Sequence, residues 1–307
     1  MPDFDVVIIG CGPSGLSAGL YLTRGKYRTL VIDKESLGGQ ITKVEWIENY
    51  PGFSKGVAGP QLASEMLAQA VKFGLQVELG EVVDIELYTQ SRYVQLSDGR
   101  SFATKAIIIA CGCKRMKLGV PGEMELQGKG VFGCALCDGD QFLGKKVAVC
   151  GGGDAGLTEA IYMAKLASSV VVLEATKALT ASPILQERAL QNAKLEIHCN
   201  TKVTSILGNT HVEALELEYL PTGKKETLSV DGVLVDIGME PNTSFLKTLV
   251  ALDAQGRVQV NEKMETGVSH IYAAGDVRSG SPGQVVTGAS DGAIAAISIQ
   301  KLLQRES

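Results

Sequence analysis

The chain has 307 residues, which is enough for about two domains with a hydrophobic core in each. Its net charge of −5 argues against binding of nucleic acid, whose backbone requires a basic face, and no apolar stretch reaches the length of a membrane span. The first residues, MPDFDVVIIG, place two acids before a short apolar run, unlike a signal peptide, so we expect a cytoplasmic protein.

The first predicted elements lie within residues 5–34. An apolar run leads into G-x-G-x-x-G, formed by Gly10, Gly12 and Gly15, and a helical segment and a second apolar strand ending in Asp33 follow. The glycines allow a tight turn and let a pyrophosphate approach the N-terminus of the helix. An acid at the end of the second strand binds the ribose hydroxyls of an adenosine. This pattern predicts a dinucleotide site.

Further along the chain, residues 93–112 predict a hairpin with a glycine turn that leads into a buried strand. Cys111 and Cys113 follow at the end of this strand, in the sequence ACGC. We interpret them as packing residues, with a second redox pair beside a domain joint as the alternative. An odd count of seven scattered cysteines is unlike a disulfide framework, and we expect Cys11, Cys150 and Cys199 to be core residues.

The segment GCALCDGD contains the pair Cys134 and Cys137. Together with Cys111 and Cys113 it provides four thiols, the number that a zinc site needs, but the two pairs belong to different predicted domains. A structural disulfide is unfavourable in a reducing compartment. A redox pair is favoured, because two intervening residues let the sulfurs close a small ring that exchanges with the dithiol. A helix start at the first cysteine would lower the pKa of its thiol.

The pattern of residues 5–34 recurs without a gap at 146–175, with Glu174 in the place of Asp33. The second glycine motif comprises Gly151, Gly153, Asp154, Ala155 and Gly156. Two gapless copies, each with strand, turn, helix, strand and acid, are much stronger evidence than one glycine motif. The sequence therefore predicts an α/β fold with two Rossmann-like dinucleotide-binding domains.

The second domain is predicted to be inserted into the first. Residues 217–238 resemble 93–112, because a hairpin again leads into a buried strand that ends in glycine. The segments GVSHIYAAGDV and GQVVTGASDGAIAAISIQKLLQ predict a strand and a long amphipathic helix that return to the first domain. We place the first domain at 1–115 and 246–307 and the second at 116–245, with two short joints suited to hinge rotation.

With these motifs, the chain resembles the low-molecular-weight thioredoxin reductase family over nearly its whole length. The resemblance is carried by the two dinucleotide folds, and by GGQI at 38–41, ENYPG at 48–52, C-x-x-C-D-G at 134–139 and YAAGDV at 272–277. The flavoprotein reductase of the alkyl hydroperoxide system shares this architecture. The resemblance implies an FAD-dependent disulfide reductase that forms a homodimer, with FAD in the first domain and a pyridine nucleotide in the second.

The resemblance also implies roles for individual residues. Asp33 would bind the adenosine ribose, Asp276 would bond the ribitol, and Gln284 with Val285 would cover the isoalloxazine edge. The positions implied to contact FAD are Gly10, Gly12, Pro13, Ser14, Gly15, Asp33, Gly38, Gly39, Gln40, Asn49, Gly275, Asp276, Gln284 and Val285. Those implied to contact the pyridine nucleotide are Gly151, Gly153, Asp154, Ala155, Gly156 and Glu174.

By the same resemblance, Cys137 would be the sulfur that forms an adduct with the flavin, and Cys134 would attack the substrate disulfide. Asp138 would be the acid–base that protonates the leaving thiolate. Cys111 and Cys113 depart from the family, in which this strand usually ends in Thr-Gly-Ala.

The expected electron donor follows from a second departure. NADPH-using relatives carry H-R-R-x-x-x-R where this chain has EATKALT, so Glu174, Ala175, Thr176 and Thr180 occupy the four basic positions. A carboxylate accepts a hydrogen bond from a free 2′-hydroxyl but repels a 2′-phosphate, at a cost on the order of a few kcal/mol. Gly283 replaces another basic residue of the family. We therefore expect NADH rather than NADPH.

The predicted reaction passes electrons from NADH through FAD and the Cys134–Cys137 pair to the disulfide of a thioredoxin-like or peroxiredoxin-type protein. Three alternatives stay open. They are a thioredoxin reductase fed by ferredoxin or a flavin, a small-molecule dithiol oxidase that uses oxygen, and a non-catalytic flavoprotein that senses redox state. No nucleic acid, membrane or metal is expected as a partner.

Overall fold

The structure is a computed structural model that describes residues 2–35, 37–89, 91–246 and 248–306. The chain divides into two compact units. The first comprises Met1–Lys114 and Glu240–Ser307, and the second comprises Arg115–Met239. The return to the first unit lies at 239/240 rather than at the predicted 245/246. The reason is that the Asn242 N–H donates to the Gly112 carbonyl at 3.0 Å and Leu246 packs into a core of the first unit.

The first unit begins with β1 (Phe4–Ile9), α1 (Pro13–Arg24) and β2 (Thr29–Asp33). It continues with α2 (Gly59–Lys72), β3 (Gln76–Leu79), β4 (Val82–Leu87), β5 (Arg92–Leu96) and β6 (Ser101–Ile109). β1 lies inside the sheet and is buried on both faces, which explains its uninterrupted apolar sequence. Alternate residues of β1 enter different cores, with Val6 and Ile8 on one face and Val7 and Ile9 on the other.

The sheet of the first unit has the order β3-β2-β1-β6-β5-β4. Its members are parallel from β3 to β6 and antiparallel from β6 to β4. β6 takes part in both patterns, because residues 101–104 pair with β5 while residues 104–109 pair with β1. The hairpin predicted within 93–112 therefore continues directly into the buried strand.

The chain passes into the second unit through β7 (Cys113–Arg115). The first elements of this unit are β8 (Val131–Phe132), α3 (Ala135–Asp138), β9 (Lys146–Cys150), α4 (Asp154–Leu166), β10 (Ser169–Leu173), α5 (Pro183–Gln191) and β11 (Leu195–His198). They are followed by β12 (Thr201–Leu207), β13 (Ala214–Tyr219), β14 (Lys224–Ser229) and β15 (Gly232–Val235). A parallel sheet has the order β11-β10-β9-β15-β8, and β12, β13 and β14 form a separate antiparallel sheet.

The hairpin of the second unit differs from that of the first. β14 ends at Ser229, and the buried strand begins separately at Gly232 in the other sheet. Between them, the Asp231 N–H donates to the Lys146 carbonyl, and the Asp231 carboxylate accepts from the Lys146 N–H at 2.9 Å. These bonds end the hairpin and fix the register in which β15 pairs with β9.

The chain returns through β16 (Met239–Pro241), which pairs with β7, and ends with β17 (Ile271–Ala273) and α6 (Val285–Glu306). The structure confirms the strand predicted in GVSHIYAAGDV and the long C-terminal helix. β17 extends the parallel part of the first sheet by pairing with β6.

α6 packs closely on α1. A Cβ at Gly292 would lie 2.0 Å from the Ser14 carbonyl oxygen, so glycine is required at this contact. No helix in the described ranges combines the length and the apolar character that crossing a membrane demands.

Candidate redox and dinucleotide sites

The glycine loop of the first unit is closely packed on one side and open on the other. A Cβ at Gly10 would lie 2.3 Å from the Ala110 carbonyl oxygen, and one at Gly15 would lie 1.9 Å from the Gly10 carbonyl oxygen. A Cβ at Gly12 would meet nothing within 4 Å. α1 begins directly after Gly12, and no described side chain caps it. The free space and the uncapped N–H groups fit the pyrophosphate of a dinucleotide.

The two predicted ribose-binding acids hold their glycine loops in the same way. The Asp33 carboxylate accepts from the Cys11 N–H at 2.7 Å, and the Glu174 carboxylate accepts from the Gly152 N–H at 2.6 Å. Each carboxylate also accepts from the N–H two residues further along, at 3.0 Å and 2.7 Å respectively. Fixing the loop to the strand end is a role that the sequence reasoning missed. Ribose binding by these acids stays a prediction.

Other predicted FAD contacts lie against this first loop. A Cβ at Gly39 would lie 2.9 Å from the Gly12 Cα, and one at Gly275 would lie 2.5 Å from the Ser14 Oγ. The Gly38 N–H donates to a carbonyl oxygen of the loop at 2.9 Å. Gly38, Gly39 and Gly275 all have positive φ, so glycine suits these turns. The structure thus brings three separate glycine segments together around α1.

Cys113 connects two of the predicted residues. Its carbonyl oxygen accepts from the Gln40 Nε2 at 3.3 Å, and its Sγ donates to the Asp276 carbonyl at 3.2 Å. Burial raises the pKa of the Cys113 thiol to about 11, so it is protonated at neutral pH. The Cys111 thiol donates instead to the Asn242 carbonyl at 3.2 Å, and burial raises its pKa to about 12. Both are free thiols.

The remaining predicted contacts of the first unit lie at the start of α6. The Asn49 Nδ2 donates to the Gln284 Oε1 at 2.8 Å, which links the ENYPG segment to the residue before the helix. Val285 packs against a small apolar cluster that contains Ile41 and Tyr50. These contacts place Asn49, Gln284 and Val285 in one neighbourhood.

The sequence reasoning missed the charged residues that support Gly275 and Asp276. Asp291 is 4% exposed, and its carboxylate accepts from the Gly275 N–H at 3.1 Å and the Arg278 Nε at 2.7 Å. The Arg257 Nη1 donates to the Asp276 carbonyl at 2.5 Å. The signal for Asp291 was its place on the apolar face of α6, among glycines and alanines, where an acid needs a buried partner.

The predicted redox pair forms a disulfide. Cys134 caps α3, and its Sγ accepts from the Cys137 N–H at 3.1 Å. Cys134 is 7% exposed, whereas Cys137 is exposed. Asp138 ends the same turn and donates its N–H to the Cys134 carbonyl at 3.1 Å. The three predicted catalytic residues therefore lie within one helical turn, and the helix start predicted at the first cysteine is confirmed.

A metal site was the alternative for these cysteines. Across the residues that the structure describes, no three side chains of His, Cys, Asp or Glu are grouped as ligands for a metal ion. Cys134 and Cys137 bond to each other, while Cys111 and Cys113 remain separate thiols of the first unit.

A network of charged side chains contacts the backbone of the turn that carries the disulfide. The sequence did not predict this network. The Glu159 carboxylate accepts from the Ala135 N–H at 2.6 Å and from the Arg115 Nη2 at 3.0 Å. The Arg115 Nη1 donates to the Asp236 carboxylate at 3.0 Å. Burial raises the pKa of both Glu159 and Asp236, and the Arg115 guanidinium opposes this effect. No local motif signals this network, because its members lie far apart in sequence.

The second glycine loop repeats the geometry of the first. A Cβ at Gly151 would lie 1.9 Å from the Asp236 carbonyl oxygen, and one at Gly156 would lie 2.2 Å from the Gly151 carbonyl oxygen. α4 begins after Gly153, and no side chain in the described part of the chain caps it. These uncapped N–H groups fit a second pyrophosphate.

The rest of the second predicted nucleotide site lies around this loop. The Asp154 carboxylate accepts from the Ser182 N–H at 2.5 Å. Thr180 donates its N–H to the Gly152 carbonyl at 3.0 Å, which brings the end of the EATKALT segment to the glycine loop. Ala155 and Ala175 are exposed, as are the other non-basic replacements Thr176 and Thr180.

The three cysteines expected in the core differ in their surroundings. Cys11 and Cys150 are buried, as expected. Cys199 is only half-buried, so its assignment to the core was wrong. Partial burial and the Glu174 carboxylate raise the pKa of the Cys199 thiol. It therefore lies near the strand-end acid of the second unit.

Comparisons with known proteins match both units. A family model described as "Pyridine nucleotide-disulphide oxidoreductase" matches residues 4–292. The thioredoxin reductase of Bacillus subtilis (strain 168) is 38% identical over 302 residues, which cover 98% of this chain and 95% of that protein. The bifunctional thioredoxin reductase/thioredoxin of Mycobacterium leprae (strain TN) is 37% identical over 300 residues, which cover 97% of this chain and 66% of that protein. The crystal structure of Lactococcus lactis thioredoxin reductase (FR conformation) superimposes with a TM-score of 0.96 at 32% identity, covering 99% of this chain and 100% of that chain.

Proposed function

Because the chain belongs to the pyridine nucleotide-disulphide oxidoreductase family, as a low-molecular-weight thioredoxin reductase, we propose that it is an NADH-dependent reductase of a protein disulfide. The family is FAD-dependent, so the chain is a flavoprotein oxidoreductase. The observation that carries the proposal is the Cys134–Cys137 disulfide at the start of α3, in the same unit as the second glycine loop. The proposed partner is a thioredoxin-like or peroxiredoxin-type protein.

FAD is assigned to the first unit. The N–H groups at the start of α1 would bind its pyrophosphate beside Gly12, with Asp33 on the ribose and Asp276 on the ribitol. The close contacts of Gly39 and Gly275 with the loop support this assignment. When bound, FAD would supply two-electron transfer between the reduced nicotinamide and the disulfide, and Cys137 would be the sulfur that receives the electron pair.

The chain's own residues carry the exchange with the partner. The Cys134 thiolate attacks the partner's disulfide and forms a mixed disulfide, and the released partner thiolate takes a proton from Asp138. Cys137 then attacks Cys134, which restores the internal disulfide and releases the second partner sulfur as a thiol. The Cys137 N–H that points at the Cys134 Sγ would stabilise negative charge on that sulfur.

The preference for NADH rests on the segment from Glu174 to Thr180. Ala175, Thr176 and Thr180 have no cation to offer a 2′-phosphate, and the Glu174 carboxylate would repel one. Lys177 is basic, but it takes a position where the family pattern has no arginine. The same observation favours a second candidate, a thioredoxin reductase fed by ferredoxin or a flavin. We also propose a homodimer located in the cytoplasm, on the basis of the family resemblance and the cysteine usage.

An anaerobic stopped-flow titration tests the donor. Purified, FAD-loaded protein is mixed with NADH, NADPH or dithiothreitol, and the flavin absorbance is followed. We expect NADH to bleach the flavin at least about tenfold faster than NADPH at equal concentration. In the Ala175→Arg/Thr176→Arg variant, two cations restore phosphate recognition and the order should reverse.

The remaining outcomes separate the alternatives. Bleaching by the dithiol alone, with release of hydrogen peroxide in air, would identify a dithiol oxidase. Bleaching by reduced ferredoxin but by neither nicotinamide would identify the second candidate. If the flavin responds to no donor at any rate that supports turnover, the protein is a binding or sensing flavoprotein and the proposed function is wrong.

A second experiment tests the partner. The Cys137→Ser variant lacks the sulfur that resolves the mixed disulfide, so Cys134 should stay bonded to the partner. Incubated with oxidised thioredoxin or oxidised peroxiredoxin, it should form a covalent adduct that dithiothreitol dissolves. The Cys134→Ser variant is the matched control and should form far less adduct. Equal yields from the two variants would contradict the assignment of Cys134 as the attacking sulfur.

A further inference from the structure

The charge network behind the disulfide connects the redox turn to the body of the second unit. We call Arg115, Glu159 and Asp236 the charge triad. Side chains of Glu159 and Asp236 are 13% and 4% exposed, and that of Arg115 is 25% exposed. Buried charges are costly unless they are paired, and the two ion pairs of Arg115 offset that cost for both carboxylates.

Glu159 fixes the backbone at Cys134. The Ala135 N–H that it accepts belongs to the peptide bond immediately after Cys134. Rotation about ψ of Cys134 would turn that N–H away from the carboxylate, so this hydrogen bond holds ψ near its value of 110°. The direction of the Cys134 side chain, and hence the location of its sulfur, depends on that backbone geometry.

Arg115 lies beside the same turn and supplies the positive charge. A Cβ built on Gly133, the residue before Cys134, would lie 3.4 Å from the Arg115 Cδ and 3.9 Å from its Nε. The guanidinium also bridges Glu159 and Asp236, so one cation serves two carboxylates. Without Arg115, two buried carboxylates would remain near the turn with no cation between them.

We propose that the charge triad positions Cys134 and balances the charge around it, so that Arg115 favours the thiolate form of Cys134 once the disulfide has opened. The negative charge of Glu159 disfavours the thiolate form of Cys134. Its hydrogen bond from the Ala135 N–H nevertheless holds the turn in place. The three are positioning residues, since none is part of the reacting pair. This inference rests on the proposed role of Cys134 as the attacking sulfur.

Several charged groups surround the turn. Asp138 and Asp140 lie on or just after α3, Asp154, Glu159 and Lys165 lie on α4, and Arg115 and Asp236 complete the set. Arg115 is the cation bonded to both Glu159 and Asp236, so removing it leaves these two carboxylates without that positive charge. Loss of a single opposite charge near a thiol raises its pKa by about one unit or more.

The test measures the pKa of Cys134 directly. In the FAD-loaded Cys137→Ser protein, the rate of iodoacetamide alkylation is measured against pH, and mass spectrometry of the Cys134 peptide gives the extent. Arg115→Met should shift the midpoint upward by about one pH unit, and Glu159→Gln should shift it downward. Glutamine keeps an oxygen that can accept from the Ala135 N–H, so the second variant removes the charge and retains the contact. The readout needs no turnover, so it is independent of the donor and the partner.

Three further variants separate an effect of charge from an effect on folding or on distant parts of the protein. Arg115→Met/Glu159→Gln removes one charge of each sign and should return the midpoint close to its starting value. Asp236→Asn should shift it downward, like Glu159→Gln, and serves if Arg115→Met does not fold. Lys224→Met removes a cation from β14, away from the triad, and should leave the titration unchanged. Shifts of Arg115→Met and Glu159→Gln in the same direction, or no shift in Glu159→Gln and Asp236→Asn, would overturn the proposal.

Discussion

At the scale of single residues, the glycines of the first glycine loop differ in how closely they are packed. Gly10 and Gly15 are required by the fold, because a Cβ at either position would overlap backbone atoms. Gly12 is not, since its φ of −76° suits any residue and the space around its missing Cβ is open. The sequence pattern alone cannot show this difference, because all three positions read simply as glycine. The structure separates the two glycines that close packing requires from Gly12, which faces the open space where we propose that the pyrophosphate binds.

The matched substitutions Gly12→Ala and Gly15→Ala should therefore behave differently. Gly12→Ala should leave urea unfolding of the FAD-free protein unchanged within about 0.5 kcal/mol, while FAD affinity falls at least about tenfold because the new methyl group occupies the pyrophosphate space. Gly15→Ala should lower the free energy of unfolding by about 2–3 kcal/mol, since α1 must move away from the loop. Unfolding curves and flavin titration measure both. Full FAD binding by Gly12→Ala would contradict the pyrophosphate assignment.

At the scale of elements, the contact between α1 and α6 joins the start of the first nucleotide fold to the end of the chain. Gly292 allows the Ser14 carbonyl of α1 to approach α6, and Asp291 beside it holds Gly275 and Arg278. The helix contact and the proposed FAD cradle therefore share a structural support. Displacement of α6 would disturb residues that contact the glycine loop.

A pair of substitutions within α6 tests this coupling. Gly292→Ala should destabilise the first unit by about 2 kcal/mol or more and weaken FAD binding, because the added Cβ would lie 2.0 Å from the Ser14 carbonyl oxygen. Gly288→Ala is the matched control, since a Cβ there meets nothing within 4 Å, and it should stabilise the helix by up to about 1 kcal/mol. Equal effects of the two substitutions on the urea midpoint would contradict the packing argument.

Elements with a strong local signal could be predicted from the sequence. Both βαβ segments follow from apolar runs and glycine spacing, and the final helix follows from its apolar periodicity. The helix start at Cys134 follows from the spacing of the two cysteines. The position of β15 in a different sheet from β14 could not be predicted, because it depends on the long-range bonds of Asp231 with Lys146. The pairing of Arg115 with Glu159 was equally hidden, since salt-bridge partners from distant segments leave no periodic trace. The sequence therefore predicted the framework better than the polar contacts that hold the sites.

At the scale of the whole molecule, both units bury thiols that are protonated at neutral pH. Burial raises the pKa of Cys11, Cys111 and Cys150 to about 12 and that of Cys113 to about 11, from an ordinary value of 9.0. The unfolded chain loses these protons above pH 9, whereas the folded chain retains them until pH 11 to 12. Stability linked to these thiols is therefore present below pH 9 and is lost as the pH rises toward the folded values.

We expect the free energy of unfolding to fall steeply between pH 9 and pH 11, by about 1.4 kcal/mol per pH unit for each buried thiol. Urea unfolding at several pH values measures this slope. Cys150→Ala removes one such thiol, so its slope should be shallower, even though its stability at pH 7 is lower because of the cavity. An unchanged slope in Cys150→Ala would show that Cys150 ionises equally in the folded and unfolded chains.

The pairing of β7 with β16 brings together the two points at which the chain passes between the units, so the second unit could be removed by deletion. The backbone leaves the first unit at Lys114 and re-enters it at Glu240, and the side chains of these two residues form an ion pair at 3.7 Å. The segment Arg115–Met239 therefore leaves and rejoins the first unit at neighbouring residues, so a short turn could join Lys114 directly to Glu240. With FAD bound to the first unit as proposed, a variant in which a short turn replaces Arg115–Met239 should still bind the flavin and show its visible absorbance, although it lacks the Cys134–Cys137 pair.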